Sequence, residues 1–196
     1  MELTGHKADL HRYLQGAREA LLWKLDGLPE YDVRRPMTPT GTNLLGIVKH
    51  VASVELGYLG DIFGRPSGIA LPWFSDDAEP NADMWATPDQ SRADIVELYH
   101  AAWRNSDGTI EALDLDAVGV VPWWPEGRDE ITLLRAIVHQ TTETHRHAGQ
   151  ADIVRELIDG AAGLRADNSN VWAGDGDDYW TSYCARLESA ARAATA

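Results

Sequence analysis

Residues 131–157 read ITLLRAIVHQTTETHRHAGQADIVREL, and this stretch decides the fold class. It predicts a helix from about Asp129 to Asp159, stopped by Gly160. At about 1.5 Å per residue such a helix is ~45 Å long. Within it, His139, Glu143 and His147 follow one another at intervals of four. Each step of four turns only about 40° around the axis, so the three side chains share one stripe. That stripe also contains Arg135 or Ala136 above and Ile153 or Val154 roughly below, and therefore borders the core. His145 points the other way, toward water.

The flanking sequence repeats the helical pattern. Residues 4–26 place Leu10, Leu14, Ala17, Leu21, Leu22 and Leu25 at helical spacing, ending near Gly27 and Pro29. Glu30 to Thr42 carries Pro36 and Pro39 and reads as a connection. A second helix opens at Thr42 or Asn43 and ends at Gly64, with Leu44, Ile47, Val48, Val51, Val54, Tyr58 and Ile62 as its apolar stripe. His50 is flush with that stripe or on its edge. Residues 65–88 form a long loop, and a third helix is expected from Thr87-Pro88 to about Leu113. VGVVPWWPEGRDE is a further Trp- and Pro-rich connection, with VGVV too short to seed a sheet. A glycine- and aspartate-rich loop over 161–176 leads to a last helix from about Asp177 to Ala193. The expected fold is an all-α, up-and-down four-helix bundle with an additional C-terminal helix and long connecting loops, forming one domain over residues 1–196.

Bulk composition narrows the function. With 44% hydrophobic and 24% charged residues, the chain has the balance of a folded globular protein. A net charge of −14 disfavours nucleic acid, which is held by Lys and Arg neutralising phosphates, and equally disfavours anionic membranes. No apolar run reaches the roughly 20 residues of a membrane span, and the N-terminus lacks the layout of a signal peptide. The single cysteine, Cys184, allows no internal disulfide, so a cytoplasmic location is expected. Arginine replaces lysine except at Lys7, Lys24 and Lys49, the usage of a GC-rich genome.

Glu143 and His147 at (i, i+4) can chelate one divalent metal from successive turns. A third ligand must come from a facing helix, and His50 is the candidate. A His-Glu-His set leaves a coordination position open, as catalytic sites do. The same residues also fit a plainer account. Glu143 and His147 would then be a helix-surface ion pair, and His50 and His139 core histidines bonded to carbonyls.

Three stretches carry a family resemblance: RRPMTPTGTNLLGIVKHVASVELGYL at 34–59, VPWWPEGRDEITLLRAIVHQTTETHRHAGQADIVRELIDG at 121–160, and NSNVWAGDGDDYW at 168–180. They resemble the DinB-like superfamily, in the branch of the mycothiol and bacillithiol S-transferases and the mycothiol-dependent maleylpyruvate isomerase. The resemblance implies a bundle that binds zinc, or nickel, through one histidine of the second helix and two residues of the fourth. Those map onto His50, Glu143 and His147, with His139 a neighbour one turn away. The isomerase carries a further C-terminal domain for which this chain leaves no room, so the S-transferases are the closer expected fit.

The resemblance further implies a mechanism. The metal would hold a low-molecular-weight thiol, mycothiol on the genome hint, as a thiolate that attacks an electrophile. Trp73, Trp85, Trp123 and Trp124 of the two long loops are expected to wall the electrophile pocket, or simply to pack over the bundle end. Two other classes stay open: a metal-dependent isomerase or hydrolase using bound water, and a metal-binding stress protein without turnover. Relatives are often homodimers, although no apolar face in the sequence demands it.

Overall fold

In a computed structural model, the structure describes residues 3–172, 174, 176 and 178–194. Asp177, the expected start of the last helix, lies outside them, as do Ala173 and Asp175 of the 168–180 stretch. The described residues form an all-α helical bundle. Its elements are α1 (Gly5–Leu22), α2 (Glu30–Arg34), α3 (Leu44–Leu59), α4 (Arg92–Ala112), α5 (Leu133–Asp159) and α6 (Tyr179–Ala193), with short strands β1 (Val118–Val120) and β2 (Glu130–Thr132).

Local chemistry sets the helix ends. Asn43 caps α3, its side-chain oxygen accepting from Gly46 N at 2.7 Å. Thr132 caps α5 through Arg135 N, and Gly160 ends it at φ +79°, a left-handed turn that glycine adopts without strain. The third helix starts later than Thr87-Pro88 suggests. Ser91 is its cap, and Asp94 three residues on returns a bond to the Ser91 backbone, a reciprocal box that outcompetes the proline signal. The connection after Pro29 contains the short α2, and VGVV does pair: Gly119 faces Ile131 in a two-stranded antiparallel hairpin. That hairpin occupies the first residues expected of α5.

α3 packs against both α4 and α5, and α1 closes the bundle against α5 and α4. Two apolar clusters fill the interior. One gathers Leu21, Leu45, Val48, Val51, Leu98 and Val154; the other gathers Leu14, Tyr58, Ile110, Leu133 and Ile137. Between them runs a buried polar level of Arg18, Glu55, Ser106, Gln140 and Thr144. Arg18 and Glu55 form an ion pair at 2.5 Å with both side chains wholly buried, and Arg18 also donates to Asp107 at 2.8 Å. On α5 this break between the two clusters falls where Glu143 and His147 stand. α6 buries none of its described side chains, and the outer face of α5 leaves Leu134, Val138, Ile153 and Leu157 exposed. No helix among the described residues is long and apolar enough to cross a membrane.

Candidate metal centre

Two helices and one loop build the site. α3 supplies His50, and α5 supplies Glu143 and His147 from successive turns of one face. One ligand atom from each lies within 4.8 Å of the others. His147 Nε2 is 3.0 Å from Glu143 Oε1, and His50 Nε2 is 3.6 Å from the same oxygen. His147 is buried, while His50 and Glu143 are half-buried.

The far nitrogens decide what the near ones can do. His50 Nδ1 is 2.6 Å from Asp83 Oδ2, and His147 Nδ1 is 2.8 Å from Gln150 Oε1. A carboxylate and an amide oxygen only accept, so each Nδ1 is assigned the hydrogen. Each Nε2 is then a lone pair, and both are aimed at a carboxylate oxygen. Such a set repels itself unless a cation lies among the three. A proton satisfies one pair; a divalent ion satisfies all three. Imidazoles tied down through their outer nitrogens are also the usual form of histidine metal ligands. The donor set therefore fits zinc or nickel. Burial pushes the His147 imidazole below its ordinary value, His50 adds to this, and Glu143 and Gln150 oppose it. A neutral ring is the form a metal needs.

Beside Glu143 lies a cleft of about 800 Å³, walled by Val54, Gly57 and Tyr58 of α3, by Ile69, Leu71 and Phe74 of the long loop, and by Trp123. Ser53, Asp61, His139 and Glu143 are its polar lining. His139 thus stands beside the ligand cluster, its ring 4.4 Å from that of Tyr58. Of the four tryptophans, Trp123 lines the cleft, held by an Nε1 hydrogen bond of 3.2 Å to Tyr58 Oη. Trp124 packs on Tyr58 and His139 from the side. Trp73 rests on the core with Nε1 on Ser53 Oγ at 2.9 Å, and Trp85 is 42% exposed with its carbonyl on Lys49. Sequence reasoning missed Asp83, Gln150, Phe74 and Leu71. Gln150 had a signal, since three residues after His147 it shares the same helix face. Asp83, in a loop 33 residues from His50, had none.

A family model described as mycothiol-S-transferase matches residues 9–160. The chain belongs to the mycothiol-S-transferase family. The match bears out the resemblance to the DinB-like superfamily seen in the sequence. It takes in most of α1 and all of α2 to α5, with His50, Asp83, Glu143 and His147, and it stops at the glycine that ends α5. No curated protein matches the chain.

Proposed function

We propose that the protein is a cytoplasmic, metal-dependent S-transferase that joins mycothiol to a small electrophile. The convergence of His50 Nε2, His147 Nε2 and Glu143 Oε1 at the edge of an apolar cleft carries the reading. These three atoms would hold one divalent ion, zinc first and nickel second. Such an ion supplies the Lewis acidity that keeps a thiol deprotonated near neutral pH.

The chain's own residues do the rest. Asp83 and Gln150 keep both imidazoles in the Nδ1–H form, leaving Nε2 free toward the ion. Glu143 adds one negative charge, which lowers the pull of the ion on sulfur and leaves the sulfur more nucleophilic. Phe74, Leu71 and Trp123 offer apolar walls that seat the electrophile and exclude water. Cys184 is exposed on α6 and is not among the residues lining the cleft, so the reacting sulfur belongs to the cosubstrate.

The test is conjugation. Zinc-loaded protein incubated with mycothiol and monochlorobimane should yield the fluorescent thioether, and His50→Ala protein should not. Bacillithiol and glutathione run alongside establish the thiol. No conjugate with any of the three, from protein shown to hold metal, would overturn the transferase reading.

A further inference from the structure

Lys49 precedes His50 on α3 and is buried, with 1% of its surface exposed. Its ammonium donates to the carbonyls of Ala82 at 2.7 Å and Trp85 at 2.8 Å, and to Gln90 Oε1 at 3.1 Å. The fourth side is the face of Trp73, whose ring centre lies 4.1 Å away. The two carbonyls bracket Asp83, the residue whose carboxylate meets His50 Nδ1 at 2.6 Å. The turn is fastened to α3 a second time, by Asn43 Nδ2 donating to Met84 O at 3.1 Å. At Gly46 it comes so close that a Cβ would collide with the Met84 carbonyl. Asn43, Gly46, Lys49 and His50 lie on one face of the helix, so the turn is laid along that face and Asp83 falls opposite the imidazole.

We propose that Lys49 is a positioning residue of the metal site, holding the Ala82–Trp85 turn so that Asp83 fixes the tautomer and direction of His50. A buried ammonium carries a heavy desolvation penalty unless its hydrogen-bond partners are excellent. An apolar side chain at this position would avoid that cost, so stability alone is a poor reason for a lysine here. Its placement has a use for the site: Asp83 sits in a loop, and an outer carboxylate orients a ligand only if its own backbone is held. His147 needs no such help, because Gln150 belongs to the same helix. The arrangement is therefore asymmetric, and this asymmetry is the handle for a test.

The inference rests on the metal-site reading above, and its test separates the two. The proteins compared are wild type, Lys49→Met, Asp83→Asn and the double variant. Two readouts are taken on folded protein: zinc affinity by competition with a chromophoric chelator, and imidazole nitrogen shifts by NMR of the metal-free state. Lys49→Met should weaken zinc binding about tenfold or more, in the range of outer-partner losses. It should also move His50 out of the pure Nδ1–H form while leaving His147 unchanged. The double variant should bind zinc no more weakly than Asp83→Asn alone, since both changes act through one contact. If Lys49→Met lowers thermal stability but keeps wild-type affinity and wild-type His50 shifts, Lys49 is structural only and the proposal is overturned. Additive losses in the double variant overturn it equally. If wild type takes up no zinc while Lys49→Met still releases the His50 tautomer, the clamp stands and the metal reading falls. Should Lys49→Met fail to fold, Gln90→Leu removes one of the three acceptors and should give the same shifts in smaller size; no shift there overturns the proposal.

Discussion

His50 and His147 stand on different helices yet meet edge to face, 4.8 Å between ring centres and 69° between planes. Two imidazoles this close, each with its outer nitrogen engaged, bring their inner nitrogens together from two helices, as the proposed metal site requires. His50→Ala and His147→Ala should each take metal content from about one ion per chain toward none, as read by elemental analysis after gel filtration. Glu143→Gln is the sharper variant. It loses the charge and offers an amide N–H to the neighbouring Nε2 lone pairs instead, so metal should bind more weakly while the helices stay intact by circular dichroism.

The direction of the His147 shift sets a pH dependence. Burial and His50 hold its imidazole below the ordinary 6.5, so the unfolded chain takes up the proton first as pH falls. Above 6.5 both states are neutral and the group is silent; below it the unfolded state gains protons and metal-free stability declines. Urea midpoints of metal-free protein should fall on going from pH 7.5 to 5.5, and His147→Gln should flatten that slope. A slope unchanged in the variant assigns the proton uptake elsewhere.

No lysine or arginine stands among the residues that line the cleft, and besides Glu143, a ligand of the proposed ion, its charged lining residue is Asp61. Partial desolvation pushes the Asp61 carboxyl up, although the residue itself is exposed. Neutral, flat electrophiles should therefore react in preference to carboxylated analogues of the same skeleton. Asp61→Asn should narrow the gap in kcat/KM between the two by roughly threefold to tenfold, the effect of one charge near a protein surface. Trp123→Ala should raise KM for an aromatic electrophile by up to about tenfold.

The Arg18–Glu55 pair offers a test of the fold that leaves the site alone. Both side chains are wholly buried, so Arg18→Met strands a carboxylate in the bundle and should cost about 3–5 kcal/mol. Adding Glu55→Leu removes the stranded charge, and the double variant should recover much of that loss in denaturant melts.

The bundle was legible in the sequence because helical spacing is a local property. Leu44 to Tyr58 and Leu133 to Val154 repeat at a period that no other element uses. The Glu143–His147 pair was legible for the same reason, and His50 through its place in an apolar stripe. The hairpin of Val118–Val120 with Glu130–Thr132 was not, since three residues are too few to show a period and the pairing spans a loop. The α4 start was misread because Thr87-Pro88 mimics a cap that the Ser91–Asp94 pair supplies better. Asp83 and Phe74 were hidden because long loops fold by contacts with distant residues, which no spacing rule encodes.

The Asp83–His50 contact spans 33 residues of sequence and joins a loop to a helix. Loops are where insertions and deletions are best tolerated, so residues 65–90 offer an evolutionary dial. Lengthening or shortening that segment would move the carboxylate relative to the imidazole without altering one ligand. In the proposed metal site, related chains with identical His-Glu-His sets could therefore differ widely in metal retention. The place to look for the difference is the turn laid across the helix.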